Sequence, residues 1–376
     1  MDNKKEFKPA HLKVAVVYDW VDKWGGAERV LLTLFEIFPT AVLFTSYYDS
    51  EKAHWAKNLK IIPSFMQKLP NFIRQNRILS IPFYPFAFES FDFQGYDLVV
   101  SVTSSFAKSV ITRPETTHIC YLLTPTRFLW QEKQRGQPSI LKLLTRSYIN
   151  YLKTWDRIAS NRPDKYLAIS KTVQKRVESY YKKDSDVVYP PFDIDYWDKI
   201  KKNTKHKVPS TKCYLVVSRL EPYKNVDVVI RAFNEMPDNN LIVIGSGSQE
   251  RALKNLSGGN VKFIKDITDA ELGSYYSSAL ALIMMQEEDF GYTSLEAQFF
   301  GCPVIAYRRG GASETVIDGQ SGILIDQSNP AALKNSIDKF EDVQYTLKNS
   351  TLLEGPKNAE KFSKARFIKQ FLSFML

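Results

Sequence analysis

The sequence predicts an α/β protein of two domains, each a parallel sheet with helices on both faces. Short, nearly continuous apolar runs typical of buried strands alternate with apolar residues at helical spacing, and the connections between them are short. The alternation stops in a lysine-rich stretch at 199–212 and then begins again. The 376 residues also suit two cores better than one. We predict an N-terminal domain over 1–195, a linker over 196–212, a second domain over 213–357 and a C-terminal helix over 358–376.

The first domain opens with a strand, a glycine turn and a helix. KVAVVYDW (13–20) is short and β-branched, Gly25 and Gly26 follow it, and AERVLLTLFEIF (27–38) has helical periodicity. Such glycines let a backbone approach a ligand, and a helix N-terminus favours anions, although a tight turn without a ligand explains the pair equally well. The further strands that we predict are 41–47, 96–103, 117–124 and 165–170.

The second domain repeats this order of elements. CYLVVSRL (213–220) is predicted as a strand, NVDVVIRAFNEM (225–236) as a helix, and NLIVIGSGSQERALKNL (240–256) as a strand, a glycine turn and a helix. Ligands of open α/β sheets bind beyond the carboxyl ends of the strands, so the loops there are where we expect chemistry. The remaining strands are predicted at 261–266, 280–285, 303–311 and 322–326.

Composition limits the class of protein. Cys120, Cys213 and Cys302 lie far apart without CxxC spacing, which argues against a disulfide framework or a zinc site and indicates buried thiols in a reducing cytoplasm. The N-terminus is polar and the apolar run at 279–285 is too short to span a membrane, so we expect a cytoplasmic protein that is at most peripheral. The net charge of +10 suits nucleic acid, an anionic membrane or phosphorylated ligands. We exclude nucleic acid because no basic stripe with stacking aromatics is present.

Two loops of the second domain carry cations or glycines after a strand. Arg219 ends one strand and Lys224 precedes the next helix, so the two could hold a diphosphate and neutralise it as it leaves, without a metal. A solvated pair of cations that flank a turn is the alternative. Gly245 and Gly247 also follow a strand, but Glu250 stands where a dinucleotide motif needs its third glycine, which argues against NAD.

A third loop carries two carboxylates eight residues apart, Glu288 and Glu296, on either side of a helix start at Gly291. Free backbone amides at that N-terminus suit a phosphate. A carboxylate inside the helix is unfavourable beside an anion, so Glu296 is predicted to reach ribose hydroxyls and Glu288 to lie beside a sugar. The loop therefore predicts a site for a nucleoside diphosphate sugar, whereas the alternative places Glu296 on a solvated helix face.

The chain at this point resembles the retaining glycosyltransferases of family 4. These have the GT-B fold, in which two Rossmann-like parallel-sheet domains face a central cleft. The resemblance covers nearly the whole chain and is most specific in the E-x7-E pair of Glu288 and Glu296 and in the pair of Arg219 and Lys224. The stretches that carry it are YDW…GGAERV (18–30), SRLEPYKN (218–225), GSGSQERAL (245–253), EDFGYTSLEAQFFGCPVIA (288–306) and GGASETVIDGQSGILI (310–325).

The resemblance implies a nucleotide-sugar donor held mainly by the second domain, with no metal and no other cofactor. Arg219 and Lys224 would contact the diphosphate and Glu288 the donor sugar, which makes these three the catalytic candidates, while Glu296 would hold the ribose. The C-terminal helix is implied to cross back onto the N-terminal domain. The other donor-binding candidates are Gly25, Gly26, Gly245, Gly247, Phe290, Gly291, Tyr292 and Thr293.

One loop departs from the branch that this chain resembles most, which includes mannosyltransferases of surface polysaccharides. In CYLLTPTRFLW (120–130), Leu123 stands where many members carry a histidine that faces the donor sugar. Thr124 and Arg127 of this loop, with Asp19, are the acceptor-side candidates. His118 is expected to point elsewhere because it lies within a strand.

The resemblance implies transfer of a hexose with retention at the anomeric carbon, in the synthesis of a surface polysaccharide or glycolipid. GDP-mannose is our first choice of donor, and UDP-sugars stay open. The acceptor is expected to be a glycan or a lipid-linked glycan bound by the N-terminal domain. Segments 67–77 and 139–153 combine cations with apolar residues, which suits an anionic membrane surface or, alternatively, an ordinary helix with one solvated face.

Other classes of protein stay open beside this one. A degenerate, non-catalytic nucleotide-sugar-binding protein of the same fold is the main alternative, since Leu123 could mark lost catalysis. It predicts donor binding without turnover. A GT-B relative with different chemistry, such as a phosphorylase or a nucleotide-sugar epimerase, is the other.

Overall fold

The structure, a computed structural model, describes residues 11–131, 140–203 and 212–375. Contacts divide the chain into two compact units. Unit 1 comprises Met1–Pro190 and Phe367–Leu376, and unit 2 comprises Pro191–Arg366. Each contains one fully parallel sheet, so the predicted fold class, α/β with two Rossmann-like domains, is confirmed.

The sheet of unit 1 has seven strands in the described part of the chain. The strands are β1 Val14–Tyr18, β2 Val42–Thr45, β3 Ile61–Pro63, β4 Leu98–Thr103, β5 Thr117–Leu122, β6 Lys165–Ala168 and β7 Asp186–Val187. Their order across the sheet is β3-β2-β1-β4-β5-β6-β7. The five strands that the sequence predicts are confirmed. The two that it missed, β3 and β7, are edge strands too short to show a periodicity.

The helices of unit 1 lie in the connections between its strands. They are α1 Gly26–Ile37, α2 Asn71–Arg74, α3 Arg77–Ser80, α4 Tyr84–Glu89, α5 Arg127–Trp130, α6 Ile140–Ala159 and α7 Lys171–Tyr181. All residues of β1 are buried, as expected for a strand that is covered on both faces. Aromatic rings form much of the core on one face, where Phe44 lies 5.0 Å from Phe93 and 5.2 Å from Phe91 between ring centroids.

The sheet of unit 2 has six strands among the described residues. The strands are β8 Tyr214–Val217, β9 Leu241–Ile244, β10 Val261–Ile264, β11 Leu282–Met284, β12 Val304–Tyr307 and β13 Gly322–Ile325. Their order is β10-β9-β8-β11-β12-β13. Each lies inside a segment that the sequence predicts as a strand, and all but β10, which contains the exposed Lys262, are apolar without interruption.

The helices of unit 2 are α8 Ile194–Asn203, α9 Val226–Asn234, α10 Glu250–Leu256, α11 Asp269–Ser278, α12 Tyr292–Phe299, α13 Ala312–Thr315, α14 Pro330–Glu360 and the first residues of α15 Lys364–Ser373. Tyr214 packs between α9 and α14, with its ring 5.4 Å from Phe233 and 6.0 Å from Phe340. A β-carbon on Gly355 of α14 would lie 2.0 Å from the carbonyl oxygen of Gln298 in α12. The two helices therefore touch through their backbones, which fixes the position of α12.

The units divide at places that differ from the predicted boundaries. The division falls after Pro190, whereas we predicted a first domain that ends at 195. Residues 196–203 of the predicted linker belong to α8, and residues 204–211 lie outside the described part of the chain. At the C-terminus, Phe367 contacts Tyr121 with ring centroids 5.7 Å apart, so the end of α15 packs within unit 1. In the described residues, no helix is both long and apolar enough to cross a membrane.

Candidate functional site

The strand order of unit 2 reverses between β8 and β11. The chain builds β9 and β10 on one side of β8, and β11, β12 and β13 on the other. Loops that leave the carboxyl ends of two such neighbours diverge and leave a crevice, which is where ligands of open α/β sheets bind. The loop after β8 carries Arg219 and Lys224, and the loop after β11 carries Glu288 and Gly291. The topology therefore brings together two motifs that are more than sixty residues apart in the sequence.

Lys224 and Glu288 form an ion pair across this crevice. The Lys224 ammonium donates to Glu288 Oε1, and the Gln286 amide donates to the same oxygen over 3.0 Å. The exposed fractions of the two charged side chains are only 10% and 17%. A cation and a carboxylate this far from water stabilise each other, and each would be costly to leave unpaired. The pair joins two of the three predicted catalytic residues.

Arg219 approaches the same place from the strand end. It is exposed, and its guanidinium donates to the Tyr223 hydroxyl over 2.6 Å. The Lys224 ammonium lies 5.2 Å from the centroid of the Tyr223 ring. Tyr223, on the short turn Pro222–Lys224, therefore contacts both cations. An anion with two phosphates would meet positive charge from both.

Residues 245–248 (GSGS) form the loop after β9, which packs against the loop after β8 that carries Arg219 and Lys224. This packing explains why glycines stand at 245 and 247. A β-carbon on Gly245 would lie 2.0 Å from the Ser218 carbonyl oxygen, and its φ of +142° disfavours any side chain. A β-carbon on Gly247 would lie 2.5 Å from the Leu220 carbonyl oxygen. Both glycines thus allow backbone to pack on backbone. Their role in donor binding stays a prediction.

The helix with the second carboxylate begins where the sequence predicts. Gly291, with φ +92°, is the residue before α12, and Tyr292 and Thr293 form the first turn of the helix. The following loop packs closely on the residues that lead into this turn, because a β-carbon on Gly310 would lie 2.2 Å from the Glu288 carbonyl oxygen. The backbone amides of this turn follow the carboxyl end of β11 in the chain.

Glu296 is buried in the second turn of α12 and accepts a hydrogen bond from the Tyr276 hydroxyl over 3.2 Å. This placement excludes the alternative of a solvated helix face. Tyr276 comes from α11, so two helices define the position of the carboxylate. The predicted contact between Glu296 and a ribose is not tested by this geometry.

Unit 1 has the same kind of strand reversal, between β1 and β4. Asp19 follows β1, is 1% exposed, and accepts from the Thr103 hydroxyl at 2.9 Å. It also accepts from the backbone amides of Ser104, Phe106 and Ala107 at 2.7–2.8 Å. Asp19 thus ties the loop after β1 to the loop after β4. This arrangement fixes the walls of the crevice and favours a structural role over the predicted acceptor contact.

Gly25 and Gly26 lie at the start of α1, beside a buried carboxyl that the sequence did not single out. Glu28 is 2% exposed and accepts from the Tyr18 hydroxyl over 2.7 Å. Burial raises the pKa of Glu28, and the hydrogen bond from Tyr18 acts in the opposite direction. A β-carbon on Gly25 would lie 3.2 Å from the Glu28 carboxylate. The lack of a side chain at Gly25 thus leaves room for the Glu28 carboxylate.

Thr124 lies in the loop after β5 and Arg127 begins α5, and both lie near a buried ion pair. Asp156 of α6 receives hydrogen bonds from the Lys108 ammonium and, at 2.7 Å, from the Trp130 indole. Both charged side chains are fully buried. Asp156 also accepts from the Thr126 hydroxyl at 3.1 Å and the Tyr181 hydroxyl at 2.9 Å. Asp156 thus holds Thr126 and Trp130, which lie beside the two acceptor-side candidates in the chain.

Several residues that the sequence did not single out are hydrogen-bonded to predicted site residues. Tyr223, Gln286 and Tyr276 contact predicted site residues, but nothing in their spacing marks them. Asp156 and Lys108 carried a detectable signal, because charges within apolar stretches are rarely buried unless they are paired. His118 is buried in β5 with Nε2 2.8 Å from the Ser101 hydroxyl, which agrees with the expectation that it points away from the loop.

The fold of the chain is similar to that of solved two-domain glycosyltransferase structures. The solved structure of HepE from Anabaena in complex with UDP-glucose superposes with a TM-score of 0.72 at 18% identity, and the match covers 97% of this chain and 99% of that one. At this identity the likeness shows the fold. The predicted GT-B fold is thus confirmed.

Residues 198–362 match the family model of glycosyl transferases group 1. An uncharacterized glycosyltransferase of Methanocaldococcus jannaschii is 26% identical over 89% of this chain and 86% of its own length. A GDP-mannose-dependent α-(1-6)-phosphatidylinositol monomannoside mannosyltransferase of Mycolicibacterium smegmatis is 32% identical over 32% of this chain and 36% of its own length. The chain thus aligns with about a third of some relatives whose activity is named. The predicted resemblance to group 1 glycosyltransferases is confirmed, and membership of family 4 stays a prediction.

Proposed function

We propose that the protein is a glycosyltransferase that moves a hexose from a nucleoside diphosphate sugar to a glycan or lipid-linked glycan. The observation that carries the proposal is the set of groups around the crevice between β8 and β11. Lys224 and Arg219 supply positive charge, the start of α12 supplies backbone amides, and the carboxylates of Glu288 and Glu296 supply hydrogen-bond acceptors for hydroxyls. This set suits a ligand with two phosphates between two sugar rings.

The reaction that we propose retains the anomeric configuration. The bond between the anomeric carbon and the diphosphate oxygen breaks, and a bond to the acceptor hydroxyl oxygen forms on the same face. The proton of the acceptor hydroxyl passes to the departing diphosphate. Lys224 and Arg219 would stabilise the charge that develops on the diphosphate, and Glu288 would orient the sugar. This assignment requires no metal, so we expect activity to survive a chelator.

GDP-mannose is the donor that we propose first, and its support is the printed activity of the mycobacterial relative. UDP-glucose is the second candidate, supported by the ligand of the Anabaena structure. Because the fold is shared by enzymes with different donors, binding must decide between them. We place the enzyme in the cytoplasm, at the inner face of the membrane, where a lipid-linked acceptor would be presented.

The test is a thermal-shift screen of the purified protein with GDP, UDP, ADP and their common sugars, without metal. We expect one nucleotide to raise the melting temperature selectively, and Lys224→Ala and Glu296→Ala to remove that shift. Lys254→Ala is the matched control, since Lys254 is an exposed lysine of α10 paired with Glu250. No shift with any nucleotide would contradict the proposal.

A second candidate function follows from Leu123, which replaces the histidine expected from the family. Leu123 is half-buried, and its backbone amide donates to the Thr103 carbonyl oxygen over 2.8 Å. If this replacement abolishes catalysis, the protein binds a nucleotide sugar without turning it over. Hydrolysis or transfer of the bound sugar, measured by release of the nucleoside diphosphate, distinguishes the two functions. Leu123→His would then restore turnover in the non-catalytic case.

A further inference from the structure

Two tryptophans of unit 1, Trp24 and Trp55, lie side by side at its surface. All six tryptophans of the chain fall within the described residues, and among them only Trp24, at 50%, is exposed. Its ring centroid lies 6.4 Å from that of Trp55, and the two ring planes are inclined by 58°. Single exposed apolar residues are common on protein surfaces, whereas two adjacent rings form an apolar face that can bind a ligand. We refer to these two residues as the tryptophan pair.

Backbone hydrogen bonds join the two loops that carry the pair. Trp55 lies between β2 and β3, and its indole N–H donates to the Lys23 carbonyl oxygen over 2.8 Å. The Val21 amide donates to the Tyr47 carbonyl oxygen over 3.1 Å, and the Asp49 amide donates to the Val21 carbonyl oxygen over 2.8 Å. The loops after β1 and β2 therefore hold each other in place. A ligand that stacks on rings fixed in this way loses less free energy in ordering them.

The tryptophan pair lies next to the place where the strand order of unit 1 reverses. Trp24 is in the loop after β1, directly before Gly25 and the start of α1. The strand β1 lies between β2 and β4 in the sheet, and the reversal falls between β1 and β4. Ligands of open α/β sheets bind beyond the carboxyl ends of the strands at such a reversal. The pair is therefore at the edge of the sheet where a ligand of unit 1 is expected.

The charges around the pair favour a neutral ligand. Residues 19–28 carry three acidic residues and one lysine, and residues 49–57 carry two acidic residues and two lysines. Arg77 of α3 pairs with Asp22, and even with this arginine the two loops have no excess of positive charge. A nucleotide or the headgroups of an anionic bilayer would need such an excess. A neutral sugar needs none.

A pyranose ring fits an exposed indole because one of its faces consists of C–H groups. That face packs on the aromatic ring, while the hydroxyls at the rim of the sugar keep their hydrogen bonds to water or to nearby polar groups. The contact buries apolar surface and leaves no polar group of the sugar unpaired.

We propose that the tryptophan pair binds a neutral pyranose ring of the acceptor glycan. The sugar stacks on the exposed ring of Trp24, and Trp55 holds that ring in place and flanks the sugar. The inference deepens the proposed function, on which it rests for the role of this glycan as acceptor, because it names side chains that bind the acceptor in unit 1. No bond forms or breaks at the pair, so its contribution is to binding.

The experiment is fluorine NMR of the full-length protein labelled with fluorotryptophan, which gives one resonance for each of the six tryptophans. The probes are methyl α-mannoside, methyl α-glucoside, mannobiose and maltose, titrated without a donor. We expect at least one of them to shift the resonances of Trp24 and Trp55, with a dissociation constant of about 1 mM. The resonance of Trp197, which is buried in unit 2, should not move. Single Trp→Phe variants assign the resonances.

Variants of Trp24 test whether its ring carries the binding. Trp24→Ala should weaken binding of the sugar about tenfold, measured by the shift of the Trp55 resonance, because the stacking face is lost. Trp24→Phe keeps an aromatic face and should retain most of the affinity. Tyr345→Ala is the matched control, since it removes an aromatic ring of α14 in unit 2 that is 79% exposed, and it should leave binding unchanged.

Several results would overturn the proposal. These are no shift of Trp24 and Trp55 with any of the four sugars, an equal shift at Trp197, or equal binding by Trp24→Ala and the wild-type protein. Shifts at the pair that are caused by GDP or UDP, by anionic vesicles or by protein concentration, and not by sugars, would assign it to a nucleobase, a membrane or a second copy of the chain.

The same protein distinguishes failure of this inference from failure of the proposed function. The nucleotide-induced thermal shift should be the same in Trp24→Ala as in the wild-type protein, because the donor groups lie in unit 2. Absence of that thermal shift from the wild-type protein would count against the proposed function, whereas the sugar-induced fluorine shifts would still show that the pair binds a glycan.

Discussion

The Lys224 side chain, which the sequence places beside a turn, is buried in the fold. In the sequence it is one of 51 basic residues, and in the fold it is 9% exposed and paired with Glu288. A diphosphate that enters the crevice would compete with Glu288 for the ammonium. The carboxylate would then be released toward the sugar. The pair thus keeps both groups in place at the proposed donor site.

Removal of the Lys224 charge should impair catalysis. We expect Lys224→Ala to lower kcat/KM for the donor by about 10²–10³-fold, since a fixed positive charge near a departing anion contributes most in the transition state. Lys254→Ala on α10 is the control and should change kcat/KM less than about twofold. Steady-state kinetics with the donor identified by the screen give both values. Equal activity of Lys224→Ala and the wild-type protein would contradict the assignment.

His118 should make the stability of unit 1 depend on pH. Burial lowers the pKa of this imidazole from 6.5 to about 3, and its Nδ1 has no hydrogen-bond partner in the described residues. As pH falls below 6.5, the unfolded chain takes up a proton that the folded chain excludes until about pH 3, so the free energy of unfolding falls across this window.

His118 should lower the free energy of unfolding by about 2 kcal/mol at pH 5 relative to pH 8, and urea unfolding at both pH values measures this difference. His118→Gln cannot titrate and should lack this part of the pH dependence, whatever its absolute stability. The same change in unfolding free energy between the two pH values in both proteins would show that His118 is not its source.

At this scale the sequence identified charged residues better than their partners. Arg219, Lys224 and Glu288 could be found because they are charged and follow buried strands. Tyr223 and Gln286 could not, because their contacts depend on where a turn places each side chain. Asp19 was assigned to the acceptor, while its four closest hydrogen bonds tie two loops together, and no sequence pattern distinguishes these roles.

At the scale of the element, the glycine loop after β9 depends on close contact with the loop after β8. Gly245→Ala should destabilise unit 2 by about 2–4 kcal/mol, because the new methyl group overlaps the Ser218 carbonyl and the residue has φ +142°. Gly259→Ala is the matched control, since nothing lies within 4 Å of its β-carbon. It should change the stability by less than about 0.5 kcal/mol. Chemical denaturation of both variants measures the difference, and similar values for the two would disprove close packing at Gly245.

The loop after β5 depends on the buried pair of Lys108 and Asp156. Asp156→Leu should cost about 3–5 kcal/mol, because it leaves the Lys108 ammonium buried without its partner. The double variant Lys108→Met with Asp156→Leu removes both charges and should recover a large part of that loss. Urea unfolding of the single and double variants gives the coupling. A double variant less stable than Asp156→Leu alone would show that the two charges do not depend on each other.

Elements were predicted well where burial makes strands apolar and poorly where tertiary contacts decide their ends. The inner strands could be found from their composition, whereas β3 and β7 have too few residues for any pattern. The start of α12 was found because Gly291 marks it. The helix α8 replaced part of a predicted linker, since lysine-rich composition does not exclude a helix that packs by one face.

At the scale of the whole molecule, the order of the strands in each sheet determines which loops come together at the candidate site. Each unit reverses its strand order once, between β1 and β4 and between β8 and β11. The sequence predicted parallel sheets but not the order of their strands, because the order is set by which crossovers pack best. The residues that it singled out after β8 and β11 nevertheless meet, since both loops leave the same edge of the sheet.

The central claim is that a nucleoside diphosphate sugar binds in the crevice of unit 2 between β8 and β11. Hydrogen–deuterium exchange of the full-length protein, with and without the nucleotide selected by the thermal screen, tests it most directly. We expect slower exchange in residues 218–225 and 286–296, with Lys224→Ala as a variant that loses this protection. Protection confined to other loops, with these two segments unchanged at saturating nucleotide, would contradict it.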